Sequence, residues 1–267
     1  MNLIDVIVRV FLILFFAYGI TIGTIYLVTL AKIDIKDVSQ RNGVKFMSIA
    51  LIGNFSLIVV VYLMMHYLDK KDLFSLGFYI TKVNVLLGLI MFILTVFIAL
   101  LFVYVLQQMG MVKFKIKSMV LSRMKKEWTT FFLPFFVLFL AALQEEIMYR
   151  GYFSYIFQGY GMLTAMLLSS SLFTVWHFLG NRVNIFQVIE WFVCGILLFY
   201  LYDKSHSIWL VTFLHLSRNL TNVFIWNIAD KYSFLKFDNP IKPRYKTVHT
   251  ILWTSIIASL TFIIFDY

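Results

Sequence analysis

Eight stretches of this chain are apolar over a length that crosses a bilayer, at 6–30, 46–68, 83–109, 134–157, 162–179, 185–202, 208–228 and 248–265. Each span takes roughly 20 residues, so eight consume about 160 of the 267 and leave no segment large enough for a separate folded domain. The expected fold class is all-α, a polytopic membrane bundle of about eight transmembrane helices. Composition excludes the alternative of a water-soluble globule, because only 13% of residues are charged where a soluble domain carries about a quarter. The first span is too long, and lacks the small-residue cleavage site, for a removable signal peptide, so it is expected to remain as an anchor. Cys194 is the one cysteine, which excludes an intramolecular disulfide, and it is expected to pack as a small hydrophobe.

The net charge of +10 has a topological explanation. Short cytoplasmic loops hold an excess of Lys and Arg. The loops after the first, third, fifth and seventh spans carry Lys32, Lys36, Arg41, Lys45; Lys113, Lys115, Lys117, Arg123, Lys125, Lys126; Arg182; and Lys231, Lys236, Lys242, Arg244, Lys246. That is 16, against four on the other side at Lys70, Lys71, Lys82 and Lys204, with Arg9 as a possible flank. Both termini are expected outside, and the basic inner face is expected to attract anionic lipid. No nucleic-acid partner is expected, since no recognition motif accompanies the charge.

Ionisable residues concentrate in three spans. The first three spans hold almost none, whereas the fourth, fifth and seventh hold Glu145, Glu146, Arg150, His177, His215 and Arg218. A charge at membrane depth costs a few kcal/mol, so such residues face a bundle interior or a wet cavity. Glu146 and Arg150 are i and i+4, within ion-pair reach on one helix face, while Glu145 lies about 100° away around the helix. One carboxylate is thus expected to be a structural partner of the arginine and the other to be available. The same spacing joins Phe173 to His177, and His215 to Asn219. With Pro134 in the first turn of its helix, Glu145, His177, His215 and Asn219 are expected to converge in the inner half of the membrane. His66, His206 and His249 fall at span ends and are expected at the interface, without a role.

Glu145-Glu146-x-x-x-Arg150, Phe173-x-x-x-His177 and His215-x-x-x-Asn219 resemble, in order and in separate helices, the three motifs of the CAAX protease and bacteriocin-processing family, also called the Abi family. Arg150-Gly151 and the Ser207-Ile208-Trp209 run before His215 are similar too. The resemblance covers about residues 130 to 225. It implies a glutamate-dependent intramembrane endopeptidase of the CAAX prenyl protease type, with Glu145 as general base, His177 orienting or activating water, and His215 with Asn219 stabilising the oxyanion. It implies a division into N-terminal helices (1–125), a catalytic core (126–230) and a C-terminal loop and helix (231–267). The partner implied is a peptide or protein substrate in the membrane. No cofactor is favoured; a zinc reading would take Glu145, His177 and His215 as ligands, but the His-Glu-x-x-His motif is absent. The competing function is a non-catalytic interaction or bacteriocin-immunity protein that keeps the same polar residues as a clasp between helices.

Overall fold

The computed structural model describes residues 2–34, 43–117, 128–178, 183–226 and 233–266. Among them are eight helices: α1 (Leu3–Leu30), α2 (Val44–Leu63, prolonged by a π turn over Met64–Leu68), α3 (Lys82–Gln108), α4 (Trp128–Glu146, prolonged by a π turn over Ile147–Phe153 and a last α turn, Ser154–Phe157), α5 (Met162–Trp176), α6 (Ile185–Ser205), α7 (Ile208–Phe224) and α8 (Pro243–Phe265). Polar side chains start several of them. Asn2 accepts from the Asp5 amide, Thr81 from Asn84 and Ser207 from Leu210, and Asn184 with Gln187 closes a reciprocal capping box.

The bundle is an integral membrane protein, but its helices are not equal. Six are long and apolar enough to cross a membrane. At 1.5 Å per residue, the 15 residues of α5 and the 17 of α7 reach only about 22 and 26 Å, short of a hydrocarbon core about 30 Å thick. The expected eight full spans therefore become six full spans and two short helices. Position explains the difference. On α7, Thr212, His215, Ser217, Arg218 and Thr221 are all buried, and the helix packs on α3, α4 and α6, so it presents little surface to lipid. The outer helices do the reverse: Phe11, Phe55, Ile93, Phe97 and Ile263 stand exposed, as side chains facing acyl chains should.

Helix α6 packs on α5 and α8, and α2 on α1 and α4. The middle is apolar, with Val61 and Met65 of α2, Ile147, Tyr149 and Phe153 of α4 and Phe173 of α5 in one cluster. Trp253 Nε1 of α8 donates to Thr95 Oγ1 of α3 at 2.9 Å, a link of a kind worth about 0.6 kcal/mol on average between membrane helices.

At one end of the bundle two of the basic loops pair as antiparallel strands β1 (Phe114–Ile116) and β2 (Leu235–Phe237), with Phe114 opposite Phe237. At the other end the loop after α2 docks on the α6–α7 turn. There Tyr202 Oη donates to the Leu76 carbonyl and the Ile208 amide to Gly77 O, both at 3.2 Å. Lys36, Arg41, Arg123, Lys125, Lys126, Arg182 and Lys231 lie outside the described residues.

Three local expectations change. Pro134 is inside α4, because the helix begins at Trp128 rather than at the proline. His249 is fully buried rather than interfacial, its Nδ1 3.3 Å from Arg218 Nη1. Arg9, within α1, is held by Asp69 at 2.9 Å, so the first span does carry a paired charge. His66 and His206 are exposed at helix ends and Cys194 is buried, as expected.

Gly77 is required twice over. Its φ is +76°, and a Cβ would lie 2.0 Å from the His206 carbonyl oxygen; Gly110 has φ +69° with open space around it. Alanine at either position is expected to cost about 1–2 kcal/mol from the left-handed backbone, and at Gly77 the clash adds to it. The thermal midpoint of the detergent-solubilised protein should fall further for Gly77→Ala than for Gly110→Ala.

Candidate active site

The two neighbouring glutamates end the regular part of α4, immediately before its π turn, and their environments differ sharply. The Glu146 side chain is 0% exposed and that of Glu145 is 15% exposed. Arg150, inside the π turn and itself 0% exposed, donates from Nη1 to Glu146 Oε1 at 3.1 Å and from Nη2 to the Gly195 carbonyl of α6 at 3.2 Å. The i,i+4 pair expected from the sequence is therefore present, and its arginine also ties α4 to α6. Gly195 suits that approach, since a Cβ there would meet Ser170 Cβ of α5 at 3.0 Å.

His215 adds a contact that spacing along one helix does not reveal. Its Nδ1 lies 2.6 Å from Glu146 Oε1 and its Nε2 lies 3.6 Å from Glu145 Oε2. A carboxylate oxygen only accepts, so Nδ1 carries the proton donated to Glu146, and Nε2 is the nitrogen turned to Glu145. One imidazole thus stands between two carboxylates, of which one is closed off and balanced by arginine and the other is reachable. Glu146 Oε2 is buried without a hydrogen bond among the described residues.

Phe173 is the apolar hub of this group. Arg150 Cζ sits 4.5 Å from its ring centre, His177 packs at 4.6 Å, Tyr149 at 5.3 Å edge-on and His215 at 6.0 Å edge-on. His177 follows the last residue of α5, and its Nδ1 is 2.8 Å from the Phe173 carbonyl. That bond requires the proton on Nδ1 and leaves Nε2 as the acceptor of the neutral ring. Asn219 lies one turn beyond His215 on α7, half-buried, and makes no side-chain hydrogen bond among the described residues. The structure thus joins Glu145, Glu146, Arg150 and His215 directly, and links His177 to them through Phe173.

Sequence reasoning missed three supporting groups. Trp191 of α6 packs on His177 at 4.9 Å. Gly195 contributes only a carbonyl, which no side-chain pattern marks. Ser169 Oγ of α5 donates to the Tyr149 carbonyl at 2.7 Å, supporting backbone in the π turn, where the regular α-helical bonds are interrupted.

Removing one partner of a buried ion pair costs about 3–5 kcal/mol, because the other charge is left uncompensated. Arg150→Ala is therefore expected to reduce the amount of folded protein in the membrane well below that of Glu145→Gln. Quantitative detection of both variants in isolated membranes checks this; equal amounts would argue against the Glu146–Arg150 pair.

Comparison with known families bears on this same region. Residues 127–221 match the family model described as Rce1-like, type II CAAX prenyl endopeptidase Rce1-like. No curated protein and no solved structure matches the chain. The matched segment runs from the start of α4 into α7 and contains Glu145, Glu146, Arg150, Phe173, His177, His215 and Asn219. That match, with the three motifs it encloses, supports membership of the CAAX protease family.

Proposed function

We propose that the chain hydrolyses a peptide bond in a membrane-associated, lipidated or apolar peptide, using a water activated by Glu145. The observation that carries this reading is the unequal burial of the two glutamates. Glu146 is engaged by Arg150 and His215, whereas Glu145 is partly exposed and faces His215 Nε2 across 3.6 Å. A base must reach the proton it removes within hydrogen-bond distance or through one water, and only Glu145 of the pair has that access.

In this reading Glu145 takes a proton from water as the oxygen attacks the scissile carbonyl, and later returns it to the leaving amine. His177, its proton fixed on Nδ1, presents Nε2 to orient the water. His215 and Asn219 supply hydrogen bonds to the developing oxyanion, a contribution worth several kcal/mol when the donors are held in place beforehand. Donation from His215 Nε2 uses the ring protonated on both nitrogens. Glu146 and Arg150 hold that ring in orientation, and Phe173 fills the space behind it.

A zinc reading needs three protein ligands. Glu145 and His215 offer two donor atoms, and among the described residues no group of three His, Cys, Asp or Glu side chains is arranged to hold a metal ion. The donor set does not fit a zinc ion.

An apolar groove supports the substrate class. It has a volume of about 410 Å³, begins at Leu220 and Thr221, directly after Asn219, and is walled by Phe92 and Leu100 of α3, Phe135 of α4 and Leu235 of β2. It runs to the end of the bundle that carries β1 and β2, so an acyl or prenyl chain lying there would leave its attached peptide beside α7. The basic residues at that end, Lys113, Lys115, Lys236, Lys242 and Arg244, support a cytoplasmic location for it, next to anionic lipid, with both termini outside. The segment 126–230 is read as the catalytic core.

Two measurements test this. Membranes carrying the wild-type chain should release a new peptide from a fluorogenic peptide bearing a farnesylated cysteine, or from the endogenous peptide pool. Glu145→Gln should reduce the rate by at least about 100-fold, in the range for loss of a general base, with normal protein abundance; full activity of that variant would favour the interaction-protein function. In a Cys194→Ser background, single cysteines at Lys115 and Lys242 should react with an impermeant thiol reagent only after the membrane is opened, while cysteines at Lys71 and Lys204 label in intact cells. The reverse pattern would invert the orientation.

A further inference from the structure

Two π turns occur among the described residues, and one hydrogen bond joins them. The first, Met64–Leu68, is closed by the Asp69 amide, which donates to the Met64 carbonyl at 3.3 Å. The second, Ile147–Phe153, contains Tyr152, whose hydroxyl donates to Asp69 Oδ2 at 3.2 Å. The other oxygen, Asp69 Oδ1, lies 2.9 Å from Arg9 Nη1 of α1, and the Asp69 side chain is 1% exposed. Burial pushes the Asp69 carboxyl up from its ordinary range, and the Arg9 guanidinium and the Tyr152 hydroxyl offset only part of that rise.

A π turn is rare and recurs at functional sites, because its extra residue rotates everything that follows. Here it needs a fixed phase. Arg150 lies within it and must reach both Glu146 and Gly195, and Glu146 in turn orients His215. On one side Ser169 fixes the turn through the Tyr149 carbonyl. On the other Tyr152, two residues beyond Arg150, is tethered to Asp69. Arg9 and Asp69 both lie outside the matched residues 127–221.

We infer that Arg9, Asp69 and Tyr152 form a clasp that sets the phase of the α4 π turn, making them positioning residues for the Glu146–His215 pair. The first two helices thereby act on the site without touching it. The inference rests on the peptidase reading for its effect on turnover, but not for its effect on His215.

The test uses the full chain in detergent micelles, labelled with [13C]histidine, with the His215 signal assigned by its loss in His215→Gln. Tyr152→Phe removes one hydroxyl and keeps the Arg9–Asp69 pair, so it is the mild variant; Asp69→Asn is the stronger one. Both should displace the His215 signal while the exposed His206 signal stays in place, and Tyr155→Phe on the same helix should leave both unmoved. With the farnesylated peptide, kcat should fall roughly 10- to 100-fold with little change in KM, the scale on which a small misplacement acts. A displaced His215 signal in a chain without turnover would support the clasp and count against the peptidase reading alone. A lowered thermal midpoint with an unmoved His215 signal would overturn the clasp, as would normal kcat in Tyr152→Phe in a chain whose activity depends on Glu145.

Discussion

Glu146 carries a carboxylate where no water reaches it, and the helices around it are arranged to balance it. Removing such a group from water costs several kcal/mol, recovered only when geometry is good and its lone pairs are engaged. Arg150 and His215 both donate to the same oxygen, at 3.1 and 2.6 Å. One donor comes from the π turn of α4 and the other from α7, 69 residues away. The packing of α4 on α7 is thereby tied to a particular rotation of each, and Arg150 extends the constraint to α6 through Gly195. Apolar contacts alone tolerate small rotations; a shared proton acceptor does not.

From that constraint follows the difference between adjacent glutamates. Successive residues on a helix point about 100° apart, so fixing Glu146 toward Arg150 and His215 turns Glu145 to another side, where it keeps 15% of its side-chain surface. His215 then meets Glu145 with the one ring nitrogen Glu146 has not used. A single imidazole reads both carboxylates, and the buried one decides which nitrogen faces the exposed one. Phe173 keeps this arrangement dry on its rear face, contacting Arg150, His177 and His215 together.

Much of this was legible in the sequence, for physical reasons that also explain what was not. Spans show as runs of apolar residues because lipid contact demands them. The Glu146–Arg150 pair shows because i,i+4 neighbours on a helix must be close, and Glu145 follows from the same geometry. The His215–Glu146 bond has no such signature, since it depends on how α7 is rotated against α4. Neither does the π turn of α4, where Ser169 of α5 donates to the Tyr149 carbonyl and Asp69, beyond α2, accepts from the Tyr152 hydroxyl. Hydropathy averages over all faces of a helix, so α7 scored as a span although its polar side chains lie inside the bundle, and His249 read as interfacial although α8 turns it toward Arg218. The pairing of β1 with β2 joins segments more than a hundred residues apart, and nothing in either three-residue strand announces the other.

A pair of double-mutant cycles on folding stability separates the two carboxylates most directly. Contacting charges couple by about 0.5–3 kcal/mol, and independent sites add within about 0.5 kcal/mol. With Arg150→Met as the common partner, Glu146→Gln should show coupling of about 1.5–3 kcal/mol, in the upper part of that range because both groups are fully buried. Glu145→Gln with the same partner should be additive. Strong coupling of Arg150 to Glu145, with additivity at Glu146, would contradict the division of one locked and one accessible carboxylate.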